Sequence, residues 1–252
     1  MSLRGVVALV TGGSRGIGRA AARQLAAGGA TVVVHYVSDK AAAQDTVDSL
    51  GPGGHESRQA DLKDPAQARD LVDQVVAAHG GIGVLVNNAG MYARHAVTET
   101  SYEQWQDVWR RTLDTNLLGP ANLIHAVVPH MIAAGGGRIV NVTSRGAFRG
   151  EPAHPAYGAS KAGLNSLSQS MAKALGPHNI FVTAIAPGFV DTDMAAPYVN
   201  GPRGEEIRNE TAIGRIADAD EVGRLVAFLA TPGTESMTGA IIDINGASYL
   251  RT

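Results

Sequence analysis

Three side chains in one stretch of this sequence have the types needed to move a proton to or from oxygen: Ser144, Tyr157 and Lys161. On a helix, Tyr157 and Lys161 stand at i and i+4 and share a face. A free tyrosine hydroxyl titrates near about 10, poorly matched to proton transfer at neutral pH. An adjacent ammonium favours the phenolate and brings that value down. A serine hydroxyl aimed at the same place can stabilise negative charge growing on a carbonyl oxygen. The pattern Y-x-x-x-K alone is common on solvated helix faces. Ser144, just after the apolar run ending at Val142, is what turns the reading toward chemistry.

A second group of residues suits an anion. Val10-Thr11-Gly12-Gly13-Ser14-Arg15-Gly16-Ile17-Gly18 follows a β-branched run and opens an Ala-rich one. A helix starting there presents free N–H groups and a partial positive charge. Gly12, Gly16 and Gly18 let a pyrophosphate approach the backbone without meeting Cβ atoms. The spacing is T-G-x-x-x-G-x-G rather than G-x-G-x-x-G. Folds that hold NAD place an acid at the end of the second strand for the ribose hydroxyl. Here that strand ends His35-Tyr36-Val37-Ser38, with no carboxylate until Asp39. Arg15 is a planar, permanently charged partner for a 2′-phosphate, and Ser38 is a donor beside it. NADPH is the expected cofactor, with NAD kept as the lesser alternative because of Asp39.

These residues need elements to hold them. Seven short runs read as strands: Val6–Val10, Thr31–Tyr36, His55–Gln59, Val84–Asn87, Arg138–Val142, Phe181–Ile185 and Ala240–Ile244. They are read as apolar nearly throughout, as strands covered on both faces must be. Helices are expected over Gly16–Ala27, Asp39–Leu50, Pro65–His79, a long Tyr102–Ala134, Ala156–Leu175 and Asp218–Ala230. The alternation predicts an α/β fold, a single-domain Rossmann-like doubly wound parallel seven-stranded sheet with helices on both faces. The one long irregular stretch, Gly188–Gly204, is rich in Gly and Pro and suggests a substrate lid extending to Thr211.

Taken in order, the motifs resemble the short-chain dehydrogenase/reductase family. Besides the glycine loop there are Asn87-Asn88-Ala89-Gly90 after the fourth strand, Asn116 in the long helix, Ser144 after the fifth strand, Tyr157-Gly158-Ala159-Ser160-Lys161, and Pro187-Gly188 followed by Thr192. The resemblance implies an enzyme that moves hydride between NADPH and a small-molecule carbonyl or alcohol. It gives Tyr157 the general acid, Ser144 the carbonyl oxygen, and Lys161 the tyrosine pKa and the nicotinamide ribose. Asn116 would position a water that relays protons to Lys161. It further implies that Gly12, Ser14, Arg15, Gly16, Ile17 and Gly18 hold the phosphates, with Tyr36 and Ser38 at the adenosine ribose. Asp61 and Leu62 would lie at the adenine, and Asn88, Ala89 and Gly90 at the cofactor cleft. Pro187, Gly188, the Val190 backbone and Thr192 would meet the carboxamide.

Within the family the chain is most similar to bacterial β-ketoacyl carrier-protein reductases, through Ala186–Met194 and Asn245-Gly246. It departs from them at Met131–Gly137, where many carry basic residues suited to an acidic carrier protein. Arg145 and Arg149 are the nearest basic candidates at the cleft mouth, which leaves carrier-protein docking in doubt. A small ketone, sugar, steroid or quinone remains an equal alternative. A non-catalytic dinucleotide sensor on the same fold is the reading of another class, although such relatives usually lack the tyrosine or lysine. The resemblance also implies a homotetramer.

Composition narrows the field further. A net charge of −2 over 252 residues, with no basic run, gives no footprint for nucleic acid or an anionic membrane. The absence of cysteine excludes disulfides and thiolate chemistry, and the eight scattered histidines form no i, i+4 metal pair, so no metal is expected and most of the histidines are read as solvated or satisfied surface residues. No apolar run approaches a membrane span, and no leader is visible, so a cytoplasmic protein is the default expectation.

Overall fold

The structure, a computed structural model, describes residues 2–251. The β-branched runs form seven parallel strands: β1 Val7–Val10, β2 Thr31–Tyr36, β3 Glu56–Gln59, β4 Val84–Asn87, β5 Gly137–Val142, β6 Ile180–Pro187 and β7 Ile241–Ile244. Their order in the sheet is β3-β2-β1-β4-β5-β6-β7. The winding therefore reverses between β1 and β4, and the loops leaving those strands diverge to leave a crevice at their carboxyl ends.

Ten helices connect the strands: α1 Gly16–Ala27, α2 Lys40–Asp48, α3 Pro65–His79, α4 Tyr102–Leu113, α5 Gly119–Ala133, α6 Gly146–Arg149, α7 Pro155–Leu175, α8 Ala196–Val199, α9 Gly204–Asn209 and α10 Ala219–Leu229. Two apolar clusters sandwich the sheet. On one face Leu25, Val34, Val140, Val226 and Leu229 pack together, and on the other Leu71, Val75, Leu85, Leu123 and Ile139. Because both faces are covered, alternate residues of β1, β2 and β4 are equally buried, which is why these strands read as continuous apolar runs. Local chemistry sets the helix starts. Asp64 caps α3 ahead of Pro65, and Asp218 with Glu221 forms a capping box on α10. Helices α1 and α10 cross closely at Gly223, where a Cβ would come within 2.8 Å of the Ala20 carbonyl oxygen.

Three sequence expectations need correction. The helix expected over Tyr102–Ala134 is interrupted by a π-turn at Asp114–Leu118. The buried Asn116 side chain sits in that turn, bonded to Met91 and Ser160. Strand β3 is polar (Glu-Ser-Arg-Gln), because an edge strand is covered less completely than the interior strands. The irregular stretch after Gly188 contains α8, and α9 begins at Gly204. His35, His95 and His154 are buried rather than at the surface. No helix among the described residues is long and apolar enough to cross a membrane.

Candidate active site

The crevice opened by the reversal is a solvent-open cleft lined from Arg15, Tyr36 and Ser38 at one end to Ser144, Tyr157 and Glu151 at the other. Its floor is the loop between β1 and α1. Gly12 and Gly16 take left-handed backbone angles (φ 60° and 52°), and a Cβ on Gly12 would come within 3.0 Å of Ala89. A side chain on Gly18 would collide with the Gly12 carbonyl oxygen. The N-terminus of α1 has no side-chain cap. Glycines and an open helix end together form a cradle fitted to a pyrophosphate.

That loop is held in place by Thr11 of the glycine motif and by three residues outside it. Thr11 Oγ1 donates to the Val86 carbonyl and accepts the N–H groups of Asn88 and Ala89 at 2.9 and 3.0 Å. Asn88 returns its amide N–H groups to the carbonyls of Thr11 and Gly12. His35 Nδ1 accepts the Gly12 N–H at 3.1 Å, so its Nε2 carries the proton donated to the Ala60 carbonyl at 3.0 Å. Burial brings the His35 pKa down to about 4, which keeps this tautomer neutral. Arg19 reaches from α1 to the Ser14 carbonyl and to Thr46 of α2. Thr11 and Asn88 belong to motifs legible in the sequence, whereas His35 and Arg19 carry no short-range signature; all four act through contacts between separate segments.

At the other end, β5 delivers Ser144 and α7 delivers Tyr157 and Lys161 one turn apart. Ser144 Oγ accepts the Gly146 N–H at 3.0 Å and lines the cleft together with Tyr157. Lys161 Nζ donates to the Val142 carbonyl at 2.8 Å and stands 5.8 Å from the centre of the Tyr157 ring. Burial pushes Tyr157 up to about 12, opposed by the Ser144 hydroxyl and reinforced by the charge of Glu151. Burial pulls Lys161 down to about 8. The expected lowering of Tyr157 by Lys161 is thus not the dominant effect here, because both groups lie in a low-dielectric wall that disfavours charge on either. Asn116 is anchored by its own side chain. Both its amide N–H groups go to the Met91 carbonyl and Ser160 Oγ, and its Oδ1 takes the Met91 N–H. Its side chain buttresses the turn after Gly90 and the helix carrying Tyr157.

A family model described as enoyl-(acyl carrier protein) reductase matches residues 12–247. The 3-oxoacyl-(acyl-carrier-protein) reductase FabG of Staphylococcus epidermidis is 35% identical over 245 residues, covering 96% of this chain and 98% of that one. FabG of Escherichia coli K12 is also 35% identical, over 250 residues, covering 99% and 100%. The chain belongs to the short-chain dehydrogenase/reductase family. Among solved structures, a short chain dehydrogenase from Burkholderia cenocepacia in complex with NADP is 37% identical with a TM-score of 0.89, covering 98% of this chain and 99% of that one. A blue fluorescent protein from a metagenomic library in complex with NADPH is 36% identical with a TM-score of 0.90, covering 99% and 100%. This chain is therefore an oxidoreductase of that family, one that acts on CH–OH groups and their carbonyl counterparts.

In this short-chain dehydrogenase/reductase the cleft brings together Gly12, Ser14, Arg15, Gly16, Ile17, Tyr36, Ser38, Asn88, Ala89, Gly90, Ser144, Tyr157, Lys161, Pro187, Gly188, Val190 and Thr192. Gly18 and Asn116 lie behind its surface as supports. Asp61 and Leu62 do not line it: Asp61 faces Lys63 at 3.2 Å, and Leu62 is buried beside Gly119. Arg145 and Arg149 are not free basic groups at the mouth, since Glu210 pairs with both, at 2.8 and 3.0 Å. Tyr92, Glu151 and Ala195, which belong to no motif, complete the inner end with Phe189 and Met194 of the Ala186–Met194 stretch. Nothing in the local sequence marks the first three.

Proposed function

We propose that the enzyme uses NADPH to reduce the carbonyl of a small molecule, with Tyr157 as general acid. The observation that carries this reading is the convergence of Ser144 and Tyr157 on one cleft, with Lys161 one helical turn behind. A bound nicotinamide supplies the hydride that reaches the carbonyl carbon. The Tyr157 hydroxyl gives its proton to the oxygen, and the Ser144 hydroxyl stabilises the charge that grows there. Lys161 holds the nicotinamide ribose and favours the phenolate left behind. Protons return to Tyr157 through Lys161 and a water positioned by Asn116. Alcohol oxidation runs the same steps in reverse. At neutral pH the high pKa of cofactor-free Tyr157 keeps it protonated, as an acid must be.

The glycine loop and the start of α1 bind the pyrophosphate, Asn88, Ala89 and Gly90 line the ribose, and Gly188, Val190 and Thr192 meet the carboxamide. Arg15 is exposed, forms no ion pair and lines the cleft with Tyr36 and Ser38. The Asp39 carboxylate is occupied capping α2 through the Ala42 N–H at 3.0 Å. This arrangement favours a 2′-phosphate over a bare ribose hydroxyl. Both relatives named as carrier-protein reductases share the reaction class, but the engagement of Arg145 and Arg149 by Glu210 argues against carrier docking here. The segment from Gly188 to Thr211 closes as a lid over the substrate. Exposed Leu118 and Ile132 are available to a homotetramer seam, which light scattering tests.

NADPH oxidation measured against a panel of ketones tests the activity and separates enzyme from sensor. Side-by-side Kd measurements at one salt concentration test the cofactor. One charge-assisted contact contributes roughly 1.5–3 kcal/mol, so Arg15→Ala is expected to weaken NADPH about ten- to a hundredfold and NADH little. Equal losses for both cofactors would overturn the NADPH assignment.

A further inference from the structure

The inner end of the cleft carries side chains that proton and hydride transfer do not use. Tyr92 is fixed on four sides. Its ring stacks on His154 (3.8 Å between centroids, 10°), meets Tyr157 edge-on at 4.7 Å and Tyr198 at 5.3 Å, and its hydroxyl donates to Glu151 Oε2. His154 is itself held by Tyr198, whose hydroxyl lies 3.0 Å from Nε2. Tyr92 is thus a rigid strut between the reacting tyrosine and one carboxyl group.

That carboxyl is short of partners. The Tyr92 bond is long, at 3.3 Å, and no other described residue donates to the Glu151 carboxyl. The arginines nearest it, Arg145 and Arg149, are engaged by Glu210. Oε1 stands over Gly146, where a Cβ would come within 2.6 Å of it, and the Gly146 N–H holds Ser144 Oγ. Glu151 therefore lines the cleft beside both residues that grip the carbonyl oxygen, with acceptor capacity unused. Burial pushes its pKa up, against the pull of Arg149, Tyr92 and Arg145.

An alkyl chain laid there would strip water from the carboxyl and return no donor, at a cost of about 1–3 kcal/mol, more for the charged form. A substrate hydroxyl would restore the missing bond. We propose that Glu151, braced by Tyr92, selects carbonyl substrates carrying a hydroxyl near the carbonyl, hydroxyketones or oxidised polyols, over plain and long-chain ketones. The proposal rests on the carbonyl-reductase reading above. Sites built to hydrogen-bond a substrate hydroxyl discriminate strongly against analogues lacking it.

The test compares 2- and 3-hydroxycyclohexanone with cyclohexanone in NADPH oxidation. The intact enzyme is expected to favour at least one hydroxyketone by about tenfold or more in kcat/KM. Glu151→Leu should shrink that ratio about tenfold, mostly through KM, while Glu151→Gln, which keeps an acceptor oxygen, retains part of it. Tyr92→Phe should cost less, since the carboxyl stays. A parallel loss for all three ketones in Glu151→Leu, or an unchanged ratio, overturns the proposal. Glu151→Gln decides the same question should the leucine variant not fold. If NADPH binds and none of the ketones is reduced, the carbonyl-reductase reading fails instead. Calorimetric titration of 1,2-cyclohexanediol and cyclohexanol into the NADP⁺ complex then still reads the contact. A diol preference that shrinks in Glu151→Gln and is lost in Glu151→Leu supports it, and equal affinities for the two ligands in the parent overturn it.

Discussion

On the sheet side of the cleft, Ser144 sits at the end of an interior strand, and Tyr157 and Lys161 sit on the 21-residue α7. The opposite side is the segment from Gly188 to Ile216, whose two short helices share a cluster of three buried apolar residues, Ala195, Val199 and Ile207. In the wall, the pKa values move because charge is buried. In the lid, they move because charges pair, as Glu210 does with Arg149 and Arg145 against the opposing effect of burial. The wall tolerates unfavourable burial because a whole sheet and helix hold it. The segment proposed as a lid, with so little apolar area, would depend on a few ionic contacts and open at low cost.

The comparison breaks most plainly at Tyr157. Tyr157→Phe keeps the ring packing and removes the proton, so kcat should fall about 10²–10⁴-fold with the fold and cofactor affinity preserved. Retention of more than about a tenth of the activity would remove Tyr157 from the acid role. A second, smaller effect reads the strain in the wall directly. Lys161 lies at about 8 in the folded chain against an ordinary 10.5. The folded state therefore binds fewer protons than the unfolded one between those values. The penalty is full below pH 8, and stability from this group rises as pH climbs toward 10.5. At about 1.4 kcal/mol per unit it is on the order of 3 kcal/mol. Lys161→Met, losing only the bond to Val142, should be more stable than the parent at pH 7 and lose that advantage near pH 10.5 in urea unfolding. A pH-independent difference would mean the ammonium is solvated after all.

The smallest effect sharpens the lid side. Glu210→Gln leaves the nearly buried Arg145 without its carboxylate. Hydrogen exchange across residues 196–212 should speed up roughly three- to tenfold, with a rise of similar size in KM. Because the Glu210 pKa is held low, the parent should show the same loosening only as pH falls through that depressed value. Equal exchange in parent and variant would show that apolar contacts, not the ion pairs, hold the lid.

Much of the wall is legible in the sequence itself. Tyr157 and Lys161 announce themselves by i, i+4 spacing, and α1 and α3 begin and end where glycine, Asp64 and Pro65 place their boundaries. These signals are local, so a linear reading finds them. The polar β3 and the π-turn at Asp114–Leu118 escape it, because edge position and the seat of Asn116 against Met91 and Ser160 are properties of the packed molecule. Arg145 and Arg149 look available in the sequence for the same reason: Glu210, which pairs with both, belongs to a distant segment.

What the sequence determined by itself was the order of strands and helices, the glycine cradle and the types of the reacting side chains, since each depends on backbone preferences and spacings within a few residues. Tertiary structure alone decided that His35 would be a neutral, buried brace for Gly12. It also decided that Asp61 would face Lys63 and not line the cleft, and that Glu151 would stand beside Ser144 with an unanswered oxygen. Each of those outcomes depends on what surrounds a side chain in three dimensions. Desolvation and hydrogen-bond supply are set there by segments far apart in the chain.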